Sequence, residues 1–509
     1  MLDKIKSLSK QTLVYGSSTI IGRFLNFLLV PFYTNIFPPS EYGIVAVVYA
    51  FIAFMNIIYS AGLEQGFFKF ASTKELGTQK QNFSLPFFAI LVNSAIFSII
   101  IIMLSGSVPG LWILKGTSTT IIRYTAVILF FDALVLVPFA RLRLDGKPKH
   151  FAAVKIVNIV VNVAMNLVLI LVYKMGLEAI FISNLISSVV TFLMLLPVII
   201  KNISFSFNRK LLDELLRFSL PYIPAGLSSI IIQVISRPVM LLLTNEENVG
   251  IFNANYRLGI FMMLIVSMFD YAWRPFFLNQ AKDPNAKKIF AGIMIYFTGF
   301  CSIVLVVITF FIEDIIKIPI LGRGTLIGPK YWAGIYIVPI VLFAYIYNGI
   351  YINLMPGIYI EKKTRYLPFI TGLGAIVNVA GNFILIPVIG LYGAALATLF
   401  SYIAMAIYMH YISQKFYPIK YDLKTMGLLM LINISALAAF YISYYNIIHA
   451  GLIVKAALAI VFSALIIYVS GLWKAKGLMR KETAAAESSV ESGEEFETTP
   501  QASDDNPEV

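Results

Sequence analysis

The chain has 509 residues, of which 59% are hydrophobic and only 13% are charged. Soluble globular proteins carry about 25% charged residues, so this composition excludes a soluble protein and predicts an all-α, polytopic membrane protein. The net charge of +13 does not indicate nucleic-acid binding, because most basic residues flank apolar segments, where they face anionic lipid headgroups.

A membrane span needs about 20 mostly apolar residues, and about fourteen such spans follow one another along the chain. Residues 1–10 form a short basic amphipathic stretch, predicted to lie on the membrane rather than to be cleaved. The first half is predicted to span at 11–36, 41–63, 82–106, 120–140, 151–173 and 177–200. The second half is predicted to span at 215–243, 249–273, 288–312, 331–355, 366–387 and 390–412. Two further spans are predicted at 425–445 and 450–472.

The two halves resemble each other. The sequence VNVAMNLVLI at 161–170 returns as VNVAGNFILI at 377–386, with seven identities in ten. Asn162 and Asn166 thereby align with Asn378 and Asn382 at an offset of 216 residues. An earlier set aligns at an offset of 207: Tyr15, Pro31, Gly43 and Tyr49 with Tyr222, Pro238, Gly250 and Tyr256. A duplication explains these matches, with a longer second-half loop around 319–330; the alternative is chance alignment of apolar sequence.

The duplication predicts two parallel six-helix lobes, 1–200 and 201–424, followed by two extra helices at 425–475. The tail at 482–509 is acidic and predicted to be disordered. If the N-terminus is cytoplasmic, 28 of the 39 basic residues lie at cytoplasmic ends and only six at the opposite face. This bias satisfies the positive-inside rule for an even number of spans with both termini inside.

Five basic residues lie within predicted spans: Arg23, Arg123, Lys155, Arg237 and Arg257. A charge near the bilayer centre costs at least about 2.5 kcal/mol, so it should face a cavity or a partner. Arg123 and Lys155 lie close enough to span ends to extend towards the membrane surface. Arg23 lies about halfway along its span, so it is expected to face inward.

Polar residues share faces on four of the spans, since they recur at helical spacing. Spans 1, 2, 7 and 8 are therefore predicted to wall one central cavity; the alternative is that these groups only pair with each other. The predicted substrate-binding residues are Arg23, Asn26, Gln233, Arg237, Asn253 and Arg257. For Arg237 the cavity and pairing roles stay open.

Other intramembrane polar residues suggest packing or coupling. Asn158, Asn162 and Asn166 share one helix face and are interpreted as hydrogen-bonding groups that join helices. Three acidic residues in or near spans are candidates for binding a coupling ion: Asp132, Asp270 and Glu64. Ion pairs with neighbouring arginines are the alternative.

No catalytic constellation is recognisable in the sequence. It has no Walker-type phosphate loop, no nucleophile paired with a base, and no large extramembrane loop. Cys301 is the single cysteine, and the three histidines lack ligand spacing. We therefore expect no enzymatic activity, no metal and no cofactor.

Residues 12–51, SAGLEQGFFKFAS at 60–72, DYAWRPFF at 270–277 and residues 390–422 resemble Wzx-type oligosaccharide-lipid flippases. The likeness spans about residues 1 to 475, and that family belongs to the superfamily of multidrug extruders and lipid II flippases. The resemblance implies alternating-access export of an undecaprenyl-diphosphate-linked oligosaccharide, such as an O-antigen, capsule or exopolysaccharide unit, across the bacterial inner membrane. It also implies partner polysaccharide polymerases and glycosyltransferases. Wzx-type members often have twelve spans, so the last two helices leave the subfamily open.

Four alternatives remain at this point. A cation-coupled multidrug antiporter of the same superfamily would need an acidic cavity, and a lipid II flippase would share the diphosphate chemistry. A membrane-bound sugar polymerase or ligase would need a large loop that carries catalytic groups. An uncoupled lipid scramblase also stays open.

Overall fold

The structure is a computed structural model that describes residues 27–73, 75–107, 114, 116–320, 324–445 and 451–473. Thirteen of its helices are long and apolar enough to cross a membrane, and a shorter apolar helix, α1, covers Phe27–Ile36. These helices match the predicted spans to within a few residues at most ends, which confirms the predicted all-α membrane fold. Arg23, Asn26 and the acidic tail lie outside the described residues.

The helices of the first lobe follow α1 in chain order. They are α2 (Pro39–Ser60), α3 (Leu63–Thr73), α4 (Gln79–Leu104), α5 (Thr119–Leu134), α6 (Leu136–Leu144), α7 (Pro148–Leu167) and α8 (Glu178–Asn202). A π-helical turn, Val168–Val172, extends α7. Segments α2 with α3, and α5 with α6, each form one broken span.

The second lobe repeats this order with more breaks. Its helices are α9 (Arg209–Ser219), α10 (Tyr222–Val234), α11 (Ser236–Leu243), α12 (Glu246–Tyr256), α13 (Ile260–Gln280), α14 (Ala286–Ile316), α15 (Val338–Asn353), α16 (Pro356–Ile360), α17 (Leu367–Ile389) and α18 (Leu391–Phe416). Short 3₁₀ segments occupy Arg257–Gly259, Pro329–Ile337 and Thr364–Tyr366.

Two equivalent glycines mark the axis that relates the lobes. A Cβ added to Gly43 would lie 1.9 Å from the Glu246 carbonyl oxygen, and one added to Gly250 would lie 1.9 Å from the Pro39 oxygen. Gly43 and Gly250 differ by 207 residues, as do Pro39 and Glu246. Each half therefore makes the same contact with the other, as at a twofold axis. Because only glycine permits this backbone approach, α2 and α12 pack closely at the end predicted to face outward.

The repeated asparagines make the same local contact in both lobes. The Asn166 amide donates to the Asn162 backbone oxygen at 2.8 Å and to its side-chain oxygen at 3.2 Å. The Asn382 amide makes the corresponding bonds to Asn378 at 2.7 and 3.0 Å. Tyr33 also donates to Asn166, at 2.8 Å. The packing role predicted for Asn166 is therefore confirmed.

The longer second-half loop joins the two lobes. It forms a small antiparallel hairpin, β1 (Pro319–Ile320) with β2 (Gly324–Thr325). The Asn35 amide donates to the Thr325 oxygen at 2.6 Å, and the Thr325 amide donates back at 3.2 Å. The Gly328 N–H donates to Thr34 at 3.1 Å. The extra residues thus attach the second lobe to the end of α1.

Two helices follow the repeat, α19 (Leu423–Tyr444) and α20 (Leu452–Ser470). Both pack against α14 of the second lobe. The Asn433 amide donates to the buried Ser302 hydroxyl at 2.8 Å, and Lys455 forms ion pairs with Glu313 and Asp314. These polar contacts attach the extra helices to the second lobe.

Candidate substrate cavity

A cavity of about 540 Å³ opens between α10, α11, α13, α15 and α18, with Phe27 of α1 at its edge. Both second-lobe arginines that were predicted within spans line it together with other polar groups: Gln233, Arg237, Tyr256, Arg257, Ser267, Asp270, Tyr345, Asn348 and Tyr402. We call it the central cavity. Three of the predicted substrate-binding residues, Gln233, Arg237 and Arg257, therefore share one space.

Arg237 is held in place by a break in its helix. Pro238 cannot donate a backbone hydrogen bond and crowds the preceding turn, and α10 and α11 are separated at Ile235. The Arg237 guanidinium donates to the Gln233 carbonyl and, through Nε, to the Asn253 side-chain oxygen at 3.1 Å. Its carbon lies 4.8 Å from the Tyr256 ring centroid. Arg237 thus both lines the cavity and pairs with a neighbouring helix.

Arg257 lies at a second break, where the 3₁₀ segment Arg257–Gly259 separates α12 from α13. Mid-helix 3₁₀ turns often mark functional hinges. Among the described residues, no hydrogen bond or ion pair involves its guanidinium, and the side chain is half-buried. A cation in this position has its five N–H donors available to a ligand.

A smaller cavity of about 260 Å³ lies in the first lobe, and Arg257 also lines it. Three tyrosines and three asparagines supply its polar wall: Tyr33, Tyr42, Tyr49, Asn158, Asn162 and Asn184. We call it the amino-terminal chamber. Asn158 and Asn162 were predicted to act in packing alone, and they do bond to α8, but they also line a cavity. Their spacing of four residues placed them on one face without showing that the face borders a space.

The charge of the central cavity is positive. Asp270 is the only carboxylate among its described lining residues. Arg274 binds both oxygens of that carboxylate, at 2.8 and 2.9 Å. Arg237 and Arg257 therefore keep their charge uncompensated inside the cavity, and such a site favours anions.

The other predicted residues lie away from the central cavity. Asn253 is buried behind Arg237 and contacts it. Glu64 forms an ion pair with Arg143, and Asp132 accepts a hydrogen bond from Ser188 at 2.7 Å. Arg123 donates to Ser105 near its helix end at 3.1 Å.

Several lining residues were not predicted from the sequence. Tyr345, Asn348 and Tyr402 come from spans 10 and 12, which were not predicted to border the cavity. Tyr42 and Tyr49 are seven residues apart, two helical turns, so they share a face of α2. Tyrosine is common throughout this chain, and that spacing alone did not single them out.

Comparison with solved structures defines the class of this fold. Lipid II flippase MurJ in an inward closed conformation superposes with a TM-score of 0.70 at 16% identity, and the match covers 92% of this chain and 100% of that chain. An inward-facing multidrug resistance MATE family transporter of the MOP superfamily gives 0.59 at 15% identity, covering 79% and 97%. A MOP superfamily transporter from Pyrococcus furiosus gives 0.51 at 16%, covering 81% and 94%. The chain thus has the two-lobed fold of these transporters.

The family follows from the sequence itself. The family model described as "Polysaccharide biosynthesis protein" matches residues 34–323, more than half of the chain. The protein belongs to this family, which agrees with the resemblance seen in the sequence. No curated protein matches the sequence significantly.

Proposed function

We propose that the protein moves a polyprenyl-diphosphate-linked oligosaccharide across the membrane by alternating access. The observation that carries this proposal is Arg257, a half-buried cation without a protein partner among the described residues, beside Arg237 in a positive cavity. Guanidinium groups bind phosphate through paired, charge-assisted hydrogen bonds. Arg23 and Asn26 of span 1 remain proposed members of the same site.

The helix breaks support a moving rather than a static site. Both arginines lie at interruptions of spans 7 and 8, where few backbone hydrogen bonds oppose bending. On the side predicted to face outward, the Gly43–Gly250 contact and the Asn35–Thr325 bonds hold the lobes together. If these contacts separated while the side predicted to be cytoplasmic closed, the site would be exposed to the outer face of the membrane.

Asp132 is the best placed of the three proposed coupling carboxylates. Asp270 and Glu64 form ion pairs with Arg274 and Arg143, whereas no ion pair of Asp132 occurs within the described residues. Lys155 interacts with it electrostatically. A carboxylate that accepts one hydroxyl hydrogen bond retains capacity for a proton or a monovalent cation.

The positive cavity disfavours cationic drugs as substrates. A multidrug antiporter would place an uncompensated carboxylate in this space, whereas here Arg274 neutralises Asp270. A lipid II flippase would use the same diphosphate chemistry, and the match to the polysaccharide biosynthesis family favours a different glycan.

The finer setting is part of the same proposal. The proposal includes the bacterial inner membrane as the location of the protein and lobe bounds of 1–200 and 201–424. The bias of basic residues supports an orientation with both termini cytoplasmic. Polysaccharide polymerases and glycosyltransferases are the proposed partners, because they consume and supply such a glycolipid.

Transport in liposomes tests the proposal. The purified chain is reconstituted, and movement of a fluorescent undecaprenyl-diphosphate oligosaccharide between leaflets is followed beside that of a cationic dye. We expect glycolipid movement without dye movement, and its loss in Arg257→Ala. Dye transport without glycolipid movement would overturn the flippase function, and equal rates for wild type and Arg257→Ala would overturn the site.

A further inference from the structure

The amino-terminal chamber has the chemistry of a neutral polar ligand site. Its wall combines three amides with three phenol hydroxyls, and Arg257 is the one charged residue among those described. Amides and hydroxyls pair with the hydroxyl groups of sugars, and aromatic rings pack against their C–H faces. A volume of about 260 Å³ is the space of roughly nine waters at about 30 Å³ each, which suits one sugar ring.

Two amides of the chamber are held by hydrogen bonds to the protein, which leaves their side-chain oxygens for a ligand. The Asn158 amide donates to the Ser187 oxygen at 3.1 Å and to Thr191 at 2.8 Å. The Asn184 amide donates to Tyr49 at 3.4 Å. No bond within the described residues involves the side-chain oxygens of Asn158 and Asn184. Their positions are thus set before a ligand arrives, which reduces the entropy lost on binding.

The buried hydroxyl of Tyr42 is not explained by packing. The residue is only 1% exposed, yet its hydroxyl has no hydrogen-bond partner in the described part of the chain. The Asn253 amide lies near it without reaching hydrogen-bond geometry. A buried hydroxyl without a partner is unfavourable, and a ligand hydroxyl in the chamber would satisfy it.

The second lobe shows that the amides of Asn158 and Asn184 are not needed for packing. Gly176 and Leu177 align with Gly390 and Leu391 at an offset of 214, so Asn184 corresponds to Thr398. At the offset of 216, Asn158 corresponds to Gly374, where a Cβ would lie 2.6 Å from Met405. Ser401, the counterpart of Ser187, donates to the Gly374 oxygen at 2.7 Å, which confirms the alignment.

The position of Arg257 connects the chamber to the proposed diphosphate site, because this residue lines both cavities. In a diphosphate-linked glycan, the first sugar is bonded directly to the phosphate. We propose that the amino-terminal chamber binds this first sugar while Arg257 and Arg237 hold the diphosphate. Sugar recognition here presupposes the proposed function, since the diphosphate brings the sugar to the chamber.

Binding of carriers with and without one sugar tests the proposal. The full chain in detergent is titrated with undecaprenyl diphosphate and with the same carrier bearing N-acetylglucosamine, glucose or galactose. Wild type should bind at least one glycosylated carrier more tightly than the bare one. Tyr42→Phe and Asn184→Ala should each reduce that preference about three- to tenfold and leave the affinity for the bare carrier unchanged.

The experiment distinguishes failure of the proposed sugar site from failure of the proposed function. Tyr42→Phe removes a hydroxyl that makes no hydrogen bond of standard geometry within the described residues, so the variant should keep the melting temperature of the wild type. Thr398→Val, the matched change in the second lobe, should keep the sugar preference. Equal affinities of wild type for bare and glycosylated carriers, or an unchanged preference in both chamber variants, would overturn the sugar site. Failure of wild type to bind any diphosphate carrier would instead overturn the proposed function.

Discussion

Helices α7 and α8 of the first lobe and α17 and α18 of the second are copies that pack in the same way, but the first pair lines the amino-terminal chamber, whereas Tyr402 of α18 lines the central cavity. In both pairs, one asparagine amide bonds to the asparagine four residues earlier, at nearly the same distances. Asn378 is fully buried, whereas its counterpart Asn162 is half-buried beside open space. The two pairs differ at Asn158 and Asn184, whose counterparts in the second lobe are Gly374 and Thr398. The shared residues thus maintain the fold, and the divergent ones define the candidate site.

The largest expected effect comes from the contact that the two halves share equally. Gly43→Ala and Gly250→Ala each place a methyl group 1.9 Å from a carbonyl oxygen of the other lobe. Overpacking of this kind costs about 3 kcal/mol, and the two variants should be affected alike. Thermal unfolding in detergent measures this effect.

Gly372→Ala is the matched control, because no atom lies within 4 Å of its added Cβ and alanine favours helices. It should unfold at or slightly above the wild-type temperature. If Gly43→Ala melted like Gly372→Ala, α2 and α12 would not be in contact.

Substitution of either cavity arginine should reduce transport, but the two substitutions should differ in their effect on stability. Arg257→Ala should reduce glycolipid transport by about ten- to one-hundredfold, the loss of one charge-assisted interaction, without lowering the melting temperature. Arg237→Ala should lower both, because Asn253 loses its hydrogen-bond partner. Transport rates and melting curves of the same preparations measure this difference. Equal destabilisation by both variants would show that Arg257 has a protein partner.

The repeated asparagines should contribute modestly to stability in both lobes. Asn166→Leu and Asn382→Leu should each cost about 0.5 to 1.5 kcal/mol, the net contribution of one hydrogen bond. Asn166→Leu should cost more, because Tyr33 also loses its acceptor. Unfolding in mixed micelles gives both values. A larger loss for Asn382→Leu would reverse the expected order.

The smallest effect is expected at the hairpin that joins the lobes. Asn35→Ala removes two hydrogen bonds to Thr325 at an exposed site, worth about 1 kcal/mol each at most. The variant should increase several-fold the population of molecules whose lobes are open on that side. Labelling of a cysteine introduced at Thr34, in a background without Cys301, measures this opening. Unchanged labelling would show that the hairpin does not restrain the lobes.

Much of the architecture was predictable, because apolar runs of about 20 residues, basic ends and repeated segments are local features of the chain. The repeat also located the longer loop, which the structure shows as the hairpin β1–β2. Which polar face borders a space was not predictable from spacing. Asn158 and Gly374 occupy equivalent helical positions, and at Gly374 the Met405 side chain of the neighbouring helix α18 fills the space.

The candidate site was predictable in part for the same reason. Gln233, Arg237 and Arg257 share one cavity, as intramembrane charges are expected to do. Tyr345 and Tyr402 line it from helices that were not predicted to border the cavity. Asn253 was expected in the cavity and instead contacts Arg237 from behind, because its side chain points to the helix break rather than to the open space.

The most direct test of the account is the affinity of the purified chain for undecaprenyl diphosphate compared with undecaprenol, in wild type and in Arg257→Ala. If Arg257, which has no protein partner among the described residues, holds the diphosphate, the diphosphate lipid alone should bind tightly. The substitution should weaken this binding about ten- to one-hundredfold, and Arg257→Lys should restore it only partly. Equal binding of the two lipids, or equal affinity in wild type and Arg257→Ala, would contradict it.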